Sequence, residues 1–327
     1  MGEKLMMKTT SLNLEDFFDL TRNDLEKKIN STISDKEILF ILNGGKRLRA
    51  LLAQLAFKSC TQGRESPEKY QKSLEGSVSV ELAHGASLVH DDIIDNDSKR
   101  RGKTAFHVKE GIGKALLTGH KMIAIGFEIA LRHGKEVAEL YVDSWNKVVN
   151  GELYEVDFNK NGLKNVKGKS MKSAIFEAYK KIIDMKTAEL FSSACKAGAL
   201  EADMTGDILK VFAEYGREIG LAYQLADDLV DLANGEMIDS VILPLLNSFE
   251  DKTLKKNPFK KREIRKKFKE NEEEIKKLYL EEIKKHIRKA EELGKSDIIP
   301  SSPYKHLLTQ APSYIINRML SEINITI

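Results

Sequence analysis

The sequence predicts an all-α protein, folded as a single large helical bundle with a central active-site cavity. No proline occurs between Pro67 and Pro244, and a proline inside a helix would break it. Apolar residues recur at helical spacing through most of that span, whereas the alternation typical of β-strands is scarce. The breaks fall at glycine and asparagine clusters such as 111–113 and 159–162, so the predicted helices are long.

Composition excludes several classes of protein. The 327 residues carry 53 basic and 50 acidic side chains, and a net charge of +3 gives no indication of a nucleic-acid partner. Cys60 and Cys195 lack the spacing of a metal or disulfide pair, so we expect buried thiols of a reducing compartment. Residues 1–13 lack the apolar core of a signal peptide, and no apolar run approaches a membrane-spanning length. We therefore expect a cytoplasmic protein.

An anion site is predicted at the start of the helix that follows Asn43. Gly44 and Gly45 allow backbone N–H groups to approach an anion. Lys46 and Arg49 follow at a helix N-terminus, which itself favours negative charge. The alternative is a loop with ordinary surface lysines, but the coincidence of a glycine pair with basic residues favours the anion site.

The motif on which the functional prediction centres is an aspartate motif made of Asp91, Asp92 and Asp95. Asp91 and Asp95 lie four residues apart and therefore on one face of a helix. Carboxylates this close repel each other unless a cation lies between them, and Mg²⁺ is the common choice where phosphates complete the ligand shell. Arg100 and Arg101 follow, and guanidinium groups bind phosphate oxygens. The alternative is a solvated helix end, but the pattern predicts a site for a metal-bridged phosphate ester.

A second aspartate motif, made of Asp227, Asp228 and Asp231, repeats this spacing among apolar residues. Buried carboxylates are costly unless they are paired or bound to a metal. Two such motifs on core-lining helices, facing each other across a cavity, would hold several divalent cations. Two unrelated solvated faces do not usually share both spacing and apolar context, so the second motif favours the metal site.

Three weaker signals lie on the predicted helices. Lys186 stands beside Thr187 in an apolar helix and is a candidate for reaching a phosphate, although a lone helix lysine is usually solvated. Glu152 and Glu155 place two more acids near a helix turn. His84 lies two turns before the first motif, where spacing alone does not separate a ligand from a buried core histidine.

The last quarter of the chain differs in composition. Residues 250–297 are dense in Lys and Glu, with apolar residues near helical spacing. This pattern indicates an amphipathic surface helix more strongly than a nucleic-acid-binding arm. We therefore predict one domain over 1–327, with a motif-bearing core over about 35–245 and a charged helical part over 250–327.

Four segments together resemble the trans-isoprenyl diphosphate synthases, the polyprenyl synthetase family. They are, in chain order, 44–49, 91–102, 186–188 and 224–231. The resemblance covers about residues 35–245. It implies the all-α isoprenoid synthase fold, usually as a homodimer, with about three Mg²⁺ ions held by both aspartate motifs.

The resemblance also implies a role for each motif residue. The implied metal set, with Asp227 as the likeliest ligand of the second motif, is Asp91, Asp95, Asp227 and Asp231. The implied binding residues for the allylic substrate are Arg100, Lys186, Thr187 and Gln224. Those for isopentenyl diphosphate are Lys46, Arg49, His84 and Arg101. The implied catalytic set, in which Asp92 and Asp228 support the metal ligands, is Asp91, Asp92, Asp95, Asp227, Asp228 and Lys186.

The sequence departs from the family pattern at two places that bear on substrate binding. The lysines usual after the second motif are missing between residues 233 and 246, so Lys252 or a neighbour is a candidate substitute. The family's Gly-Gln-x-x-Asp appears here as Gly151, Glu152 and Glu155. Neither departure removes a primary metal ligand.

The implied reaction condenses isopentenyl diphosphate with an allylic diphosphate to give an all-trans polyprenyl diphosphate. Aromatic residues just before the first motif stop chain growth early in this family, but here Ala83, Ala86 and Ser87 are small. One helical turn rises about 5.4 Å, close to one isoprene unit. We therefore expect a geranylgeranyl or longer product, geranylfarnesyl being the best single prediction, with Ile123 and Phe127 as candidates for the cavity floor.

Two other functions stay open. A class I terpene cyclase shares the first aspartate motif but should lack both the anion site at 44–49 and the second motif. A non-catalytic prenyl-diphosphate-binding partner subunit of a heteromeric synthase should have lost one motif. Both motifs are intact, but the missing lysines keep that alternative open.

Overall fold

The structure is a computed structural model that describes residues 13–161, 171–234, 266 and 268–327. The described residues are almost entirely helical, which confirms the predicted fold class. The sheet that they contain is a short antiparallel hairpin of β1 (Lys99–Arg100) and β2 (Lys103–Thr104). Lys252 and the lysine-free stretch from residue 235 onward lie outside the described residues.

The described helices lie both before and after the hairpin in the sequence. Before the hairpin come α1 (Leu14–Thr32), α2 (Lys36–Leu42), α3 (Leu48–Thr61) and α4 (Pro67–Ile94). After it come α5 (Phe106–Glu110), α6 (Ile112–Arg132), α7 (Lys135–Asn161) and α8 (Met171–Ile183). A π-helical turn (Asp184–Ala188) joins α8 to α9 (Glu189–Glu201), and α10 (Asp207–Asn234) follows. The C-terminal part contains α11 (Glu272–Gly294), α12 (Lys305–Leu320) and a 3₁₀ turn (Ser321–Ile323).

Polar caps define where α2 and α4 begin. The Asp35 carboxylate accepts hydrogen bonds from the backbone N–H groups of Glu37 at 2.8 Å and Ile38 at 3.2 Å. Ser66 caps α4, whose first residue is Pro67, the position where a missing N–H removes no helical hydrogen bond. The long helix that ends in the first aspartate motif therefore starts at a defined residue.

The centre of the bundle is formed by α3, α9 and α10, which approach one another closely. A Cβ added at Gly198 would lie 2.0 Å from the Ala53 carbonyl oxygen, and one at Gly216 would lie 2.2 Å from that of Phe191. Because no real Cβ approaches an oxygen so closely, both positions require glycine. This packing places α9 between α3, which begins at the predicted anion site, and α10, which carries the second motif.

The apolar core extends from α1 to the C-terminal helices, while a separate cluster joins α2, α4 and α6. The Lys- and Glu-rich helix α11 buries Ile275, Tyr279 and Ile283, so it is amphipathic as the sequence predicted. Cys60 and Cys195 are both free and buried. Within the described ranges, none of the helices combines the length and the apolar character that crossing a bilayer requires.

Candidate active site

A polar cavity of about 450 Å³ lies where the two aspartate motifs approach each other. Its walls come from the loop before α3, from α3, α4, the hairpin loop and α7 to α10. The residues singled out from the sequence that line it are Lys46, Arg49, His84, Ser87, Asp91, Asp95, Arg100, Arg101, Glu155, Lys186, Thr187, Gln224, Asp227, Asp228 and Asp231. The structure therefore brings residues from all four motif segments to one place.

In the first motif, the outer aspartates face the cavity and the middle one does not. Asp91 and Asp95 line the cavity, whereas Asp92 is 3% exposed and borders a small cleft behind it. Arg100 donates to Asp92 Oδ1 from Nε at 2.7 Å and also from Nη2. Burial raises the pKa of Asp92, and the bond to Arg100 opposes this shift. Asp92, predicted as part of the catalytic set, is thus a positioning residue that holds Arg100.

The second motif differs in that all three of its aspartates line the cavity. Its middle residue, Asp228, is nevertheless buried, with 5% of its surface exposed. The Asp228 carboxylate accepts a hydrogen bond from the Tyr179 hydroxyl and one at 3.0 Å from Gln224 Nε2. Burial and the charge of Asp228 raise the pKa of Tyr179 well above its usual range, so this hydroxyl stays a donor. No sequence signal singled out Tyr179, because its role depends on where α8 packs against α10.

The π-helical turn between α8 and α9 presents both Lys186 and Thr187 to the cavity. Such turns widen a helix locally and are frequent at functional sites. Thr187 Oγ1 donates to Gln224 Oε1 at 2.8 Å, which leaves the Gln224 amide oriented toward Asp228. Thr187 and Gln224, two of the four residues that the resemblance assigned to the allylic substrate, are therefore linked by hydrogen bonds to Asp228 of the second motif.

The Lys186 ammonium is held by two glutamates of α7. Lys186 Nζ lies 2.5 Å from Glu152 Oε2 and 2.6 Å from Glu155 Oε2. Burial lowers the pKa of Lys186, but the charges of Asp91, Glu155 and Glu152 outweigh burial and raise the pKa above its usual range. Lys186 is therefore a permanent cation between α7 and the first motif.

Another part of the cavity wall carries the predicted anion site. Arg49 Nη1 lies 3.1 Å from His84 Nε2, and a guanidinium can only donate, so this imidazole nitrogen accepts. Burial and the charge of Arg49 lower the pKa of His84 well below its usual value, so the ring is neutral. Burial raises the pKa of Asp227, and the nearby Lys46 opposes that shift. His84, ambiguous from its spacing, thus lies beside the basic residues of this wall.

Arg47 is a residue that the sequence analysis did not single out. It adopts a left-handed backbone conformation with φ of 59° and is 3% exposed. Its guanidinium donates to Glu26 Oε1 at 2.8 Å and to Glu81 Oε2 at 3.2 Å. These bonds tie the loop that carries Lys46 and Arg49 to α1 and α4. The sequence shows one more basic residue in that loop and gives no sign that it points inward.

Arg101 fills the space between the hairpin and the end of α2. Its Nη1 donates to the carbonyl oxygens of Ile41 and Leu42, each at 3.4 Å, and of Asn43 at 3.1 Å. A cation at a helix C-terminus is favourable because the carbonyl groups there carry partial negative charge. These hydrogen bonds therefore hold the Arg101 guanidinium in place where it lines the cavity.

A separate, smaller cleft of about 30 Å³ lies next to the main cavity between α4, α7 and α9, and Leu190 lines both. Its lining includes Ser79, Ser144 and Tyr141, whose hydroxyls are bonded elsewhere. Ser79 donates to the Gly76 carbonyl oxygen at 2.7 Å, Ser144 to Glu189 at 2.9 Å, and Tyr141 to the Ile123 carbonyl oxygen at 3.1 Å. The cleft is therefore apolar in character despite these side chains.

One predicted position on the path to this cleft needs correction. Ser87 lines the main cavity and Ala83 lines the cleft, as the sequence predicted. Ala86 is fully buried in the separate cluster with Met122, between α4 and α6, so its predicted place on the path is wrong. Neighbouring residues of a helix point about 100° apart, so Ala86 cannot share the face of Ser87.

The floor of the cleft comes from α7. Leu140, Tyr141 and Trp145 line it, whereas the predicted floor residues Ile123 and Phe127 do not. The Phe127 ring lies behind that of Tyr141, with 6.2 Å between the ring centroids. The prediction chose the wrong helix because α6 lies one layer farther from the cleft.

Comparison with known proteins agrees with this geometry. The sequence model of the family described as Polyprenyl synthetase matches residues 33–239, more than half of the chain. The chain belongs to the polyprenyl synthetase family, whose members include the trans-prenyl diphosphate synthases. The resemblance that the four motif segments predicted is confirmed.

Individual relatives differ in the prenyl length that their names give. Geranylgeranyl diphosphate synthase of Methanosarcina mazei is 30% identical over 298 residues, which are 84% of this chain and 86% of the relative. Octaprenyl diphosphate synthase of Escherichia coli is 29% identical over 242 residues, 69% of either chain. The crystal structure of heptaprenyl diphosphate synthase from Staphylococcus aureus superimposes with a TM-score of 0.73 at 25% identity, covering 94% of this chain and 99% of that one. Similarity alone therefore does not set the product length.

Proposed function

We propose that this protein condenses isopentenyl diphosphate with an allylic diphosphate and releases an all-trans polyprenyl diphosphate. The observation that carries the proposal is a single cavity lined by two kinds of charged group. The outer aspartates of both motifs line it, and so do the cationic side chains of Lys46, Arg49 and Arg101. A diphosphate that binds through metal ions suits the aspartates, and one that binds cationic side chains directly suits the basic residues.

The proposed cofactor is Mg²⁺, in about three ions as the family resemblance implies. The donors that the outer aspartates present are carboxylate oxygens, which suit a hard cation. In the part of the chain that the structure describes, no three acidic, histidine or cysteine side chains are grouped closely enough to hold a metal ion. We therefore propose that phosphate oxygens of the substrate complete the ligand shell. When bound, Mg²⁺ would neutralise the allylic diphosphate and make it a better leaving group.

The protein's own groups bind, orient and exclude water. Arg100, Lys186 and Thr187 would hold the allylic diphosphate, with Gln224 fixing the Thr187 hydroxyl. The allylic C–O bond then ionises, the double bond of isopentenyl diphosphate attacks the cation, and the proton lost from the adduct passes to the released diphosphate. Holding both substrates in one cavity makes the bond-forming step effectively unimolecular. No side chain is needed as a nucleophile.

The proposed product is of geranylgeranyl length or longer, with geranylfarnesyl as the single best choice. Two features support it. Ser87, which lines the main cavity, and Ala83, which lines the neighbouring cleft, are both small and one helical turn apart on α4. On its α4 side the cleft is lined by Ser79, Val80 and Ala83, none of which is aromatic.

We further propose that the protein is a homodimer whose interface includes α6 and α7. Val142, Val149 and Leu153 are exposed and lie seven and four residues apart, on one face of α7. On α6, Leu117 is 71% exposed and Leu131 is 54% exposed. Contiguous exposed apolar surface marks an interaction site. The cytoplasmic location stays a prediction from the sequence.

The test is a product assay with radiolabelled isopentenyl diphosphate and a series of allylic primers. The purified chain, with Mg²⁺, should elongate dimethylallyl, geranyl or farnesyl diphosphate, and the dephosphorylated products are separated by length. Chelation of the metal should stop elongation. Release of a cyclic hydrocarbon from the primer alone would identify a terpene cyclase, and absence of any product would indicate a non-catalytic subunit.

A further inference from the structure

Two glutamates hold the Lys186 ammonium, although one carboxylate would be enough to balance its charge. Glu152, Glu155 and Lys186 are all largely buried, with side chains 16%, 6% and 14% exposed. Asp91 of the first motif also acts on the Lys186 charge. This corner of the cavity thus gathers three carboxylates around one cation, and burial strengthens the charge interactions among them.

The two glutamates hold Lys186 differently. Lys186 Nζ donates an aligned hydrogen bond to Glu155 Oε2, whereas Glu152 Oε2 lies at ion-pair distance but is not aligned as its acceptor. Glu152 therefore contributes mainly charge. Removing that charge leaves the bond between Lys186 and Glu155 in place.

We propose that Glu152 is a positioning residue that couples binding of the allylic diphosphate to binding of the metal. It holds the Lys186 ammonium on the α7 side, and its negative charge adds to that of Glu155 and Asp91 around Lys186. Without a divalent cation, an arriving diphosphate must compete with both glutamates for Lys186 and is repelled by the excess negative charge. A cation at the first motif would offset that charge, so the diphosphate could approach Lys186 without this repulsion. The inference rests on the proposed function.

The coupling is measured by calorimetry with geranyl thiolodiphosphate, an allylic analogue that resists ionisation, at two metal levels. In Glu152→Gln the shape of the side chain is kept and its charge is lost. With a chelator present, this variant should bind the analogue about tenfold more tightly than wild type, as expected for one partly buried charge. At saturating Mg²⁺ the two proteins should agree within about twofold, since the cation then offsets the charge. Glu152→Asp keeps the charge and should retain the wild-type metal dependence.

The controls separate charge from structure. Glu128→Gln removes a carboxylate that is 70% exposed on α6 and pairs with Arg132, so it should change neither affinity. Circular dichroism establishes that each variant is folded. If Glu152→Gln weakens binding at both metal levels, Glu152 only supports Lys186 and the inference is wrong. Equal affinities for variant and wild type at both levels would also overturn it. A wild-type protein that does not bind the analogue even at saturating Mg²⁺ would instead contradict the proposed function.

Discussion

The two aspartate motifs have the same spacing but are stabilised in different ways. In both, the outer carboxylates line the cavity and the middle one is buried. The middle residue of the first motif, Asp92, is bound by a cation, Arg100. That of the second motif, Asp228, is bound by two neutral donors, Tyr179 and Gln224. The spacing thus brings the outer carboxylates of both motifs to the cavity, while the fold decides where the middle one lies and what binds it.

The position of each motif in its helix explains the difference. The first motif lies in the last turn of α4, and Asp95 is the residue at its C-terminal cap. Negative charge is unfavourable at a helix C-terminus, so a cationic partner is needed there. The second motif lies before the last three described residues of α10, and there Asp228 accepts hydrogen bonds from Tyr179 and Gln224.

The largest effect is expected from the outer aspartates, which the two motifs share. Asp91→Ala or Asp227→Ala should lower kcat by at least about 100-fold, because each removes a carboxylate that would hold the Mg²⁺ needed to neutralise the leaving diphosphate. Steady-state kinetics with saturating Mg²⁺ measures this. Asp207→Ala is a matched control, since Asp207 begins the same helix as Asp227 and is 73% exposed. Near wild-type turnover in either cavity variant would contradict the proposed metal site.

The next effect concerns the cationic wall near the second motif. Lys46→Ala and Arg49→Ala should raise the KM for isopentenyl diphosphate about 10- to 100-fold, because a charged hydrogen bond to phosphate contributes about 1.5–3 kcal/mol. The KM for the allylic primer should change much less. Kinetics with each substrate varied in turn separates the two constants. A rise confined to the allylic KM would mean that the two diphosphate sites are assigned in reverse.

A smaller effect, on stability, distinguishes the middle aspartates. Asp92→Asn leaves the Arg100 guanidinium beside a neutral amide and should lower the free energy of unfolding by about 2–3 kcal/mol. Asp228→Asn keeps one acceptor oxygen and puts an NH2 group in place of the other, so it loses one of these two hydrogen bonds and should lower it by about 1 kcal/mol. Chemical denaturation measures both.

Tyr179→Phe tests the partner of Asp228 in the second motif. It removes a donor to Asp228 and should destabilise the protein by about 1 kcal/mol, without affecting the first motif. If the Asp228 variant proves the more damaging of the two aspartate variants, charge is not what separates the two motifs.

Local spacing explains why much of the site could be predicted. Residues four apart share a helix face wherever the helix packs, so the sequence alone could place the two outer aspartates of each motif on the same face of their helix. The anion site likewise follows from glycines and basic residues at one helix start. These predictions needed no knowledge of which helices are neighbours.

The errors and omissions all depend on neighbours. Tyr179 reaches Asp228 across 49 residues of sequence, and no local pattern reports such a contact. Arg47 points inward because its backbone is left-handed, a conformation that non-glycine residues seldom adopt. Ala86 lies one residue away from Ser87 and packs on the α6 side of α4, not on the side that lines the cavity. Ile123 belongs to α6, which lies behind α7 as seen from the cleft. Composition does not distinguish such alternatives.

The last expectation concerns product length, where turnover itself should change little. Ser87 lies at the entrance from the cavity toward the cleft, on the helix that carries the first motif. Ser87→Phe should place a ring across that path and shorten the product by one or more isoprene units. Ala86→Phe is the matched control, because Ala86 packs against Met122 away from the path. It should overpack the core, costing about 1–3 kcal/mol of stability, and leave the product length unchanged.

Product chromatography for the two variants decides whether the path along α4 is correct. The geometry predicts shortening in Ser87→Phe alone, because only position 87 faces the cavity. Shortening in Ala86→Phe alone would mean that the tail runs between α4 and α6, where the separate apolar cluster now fills the space. Tyr141→Ala then tests the far end. Because the Tyr141 ring lines the cleft on α7, its removal should lengthen the product, and a product distribution equal to that of wild type would move the floor to another residue.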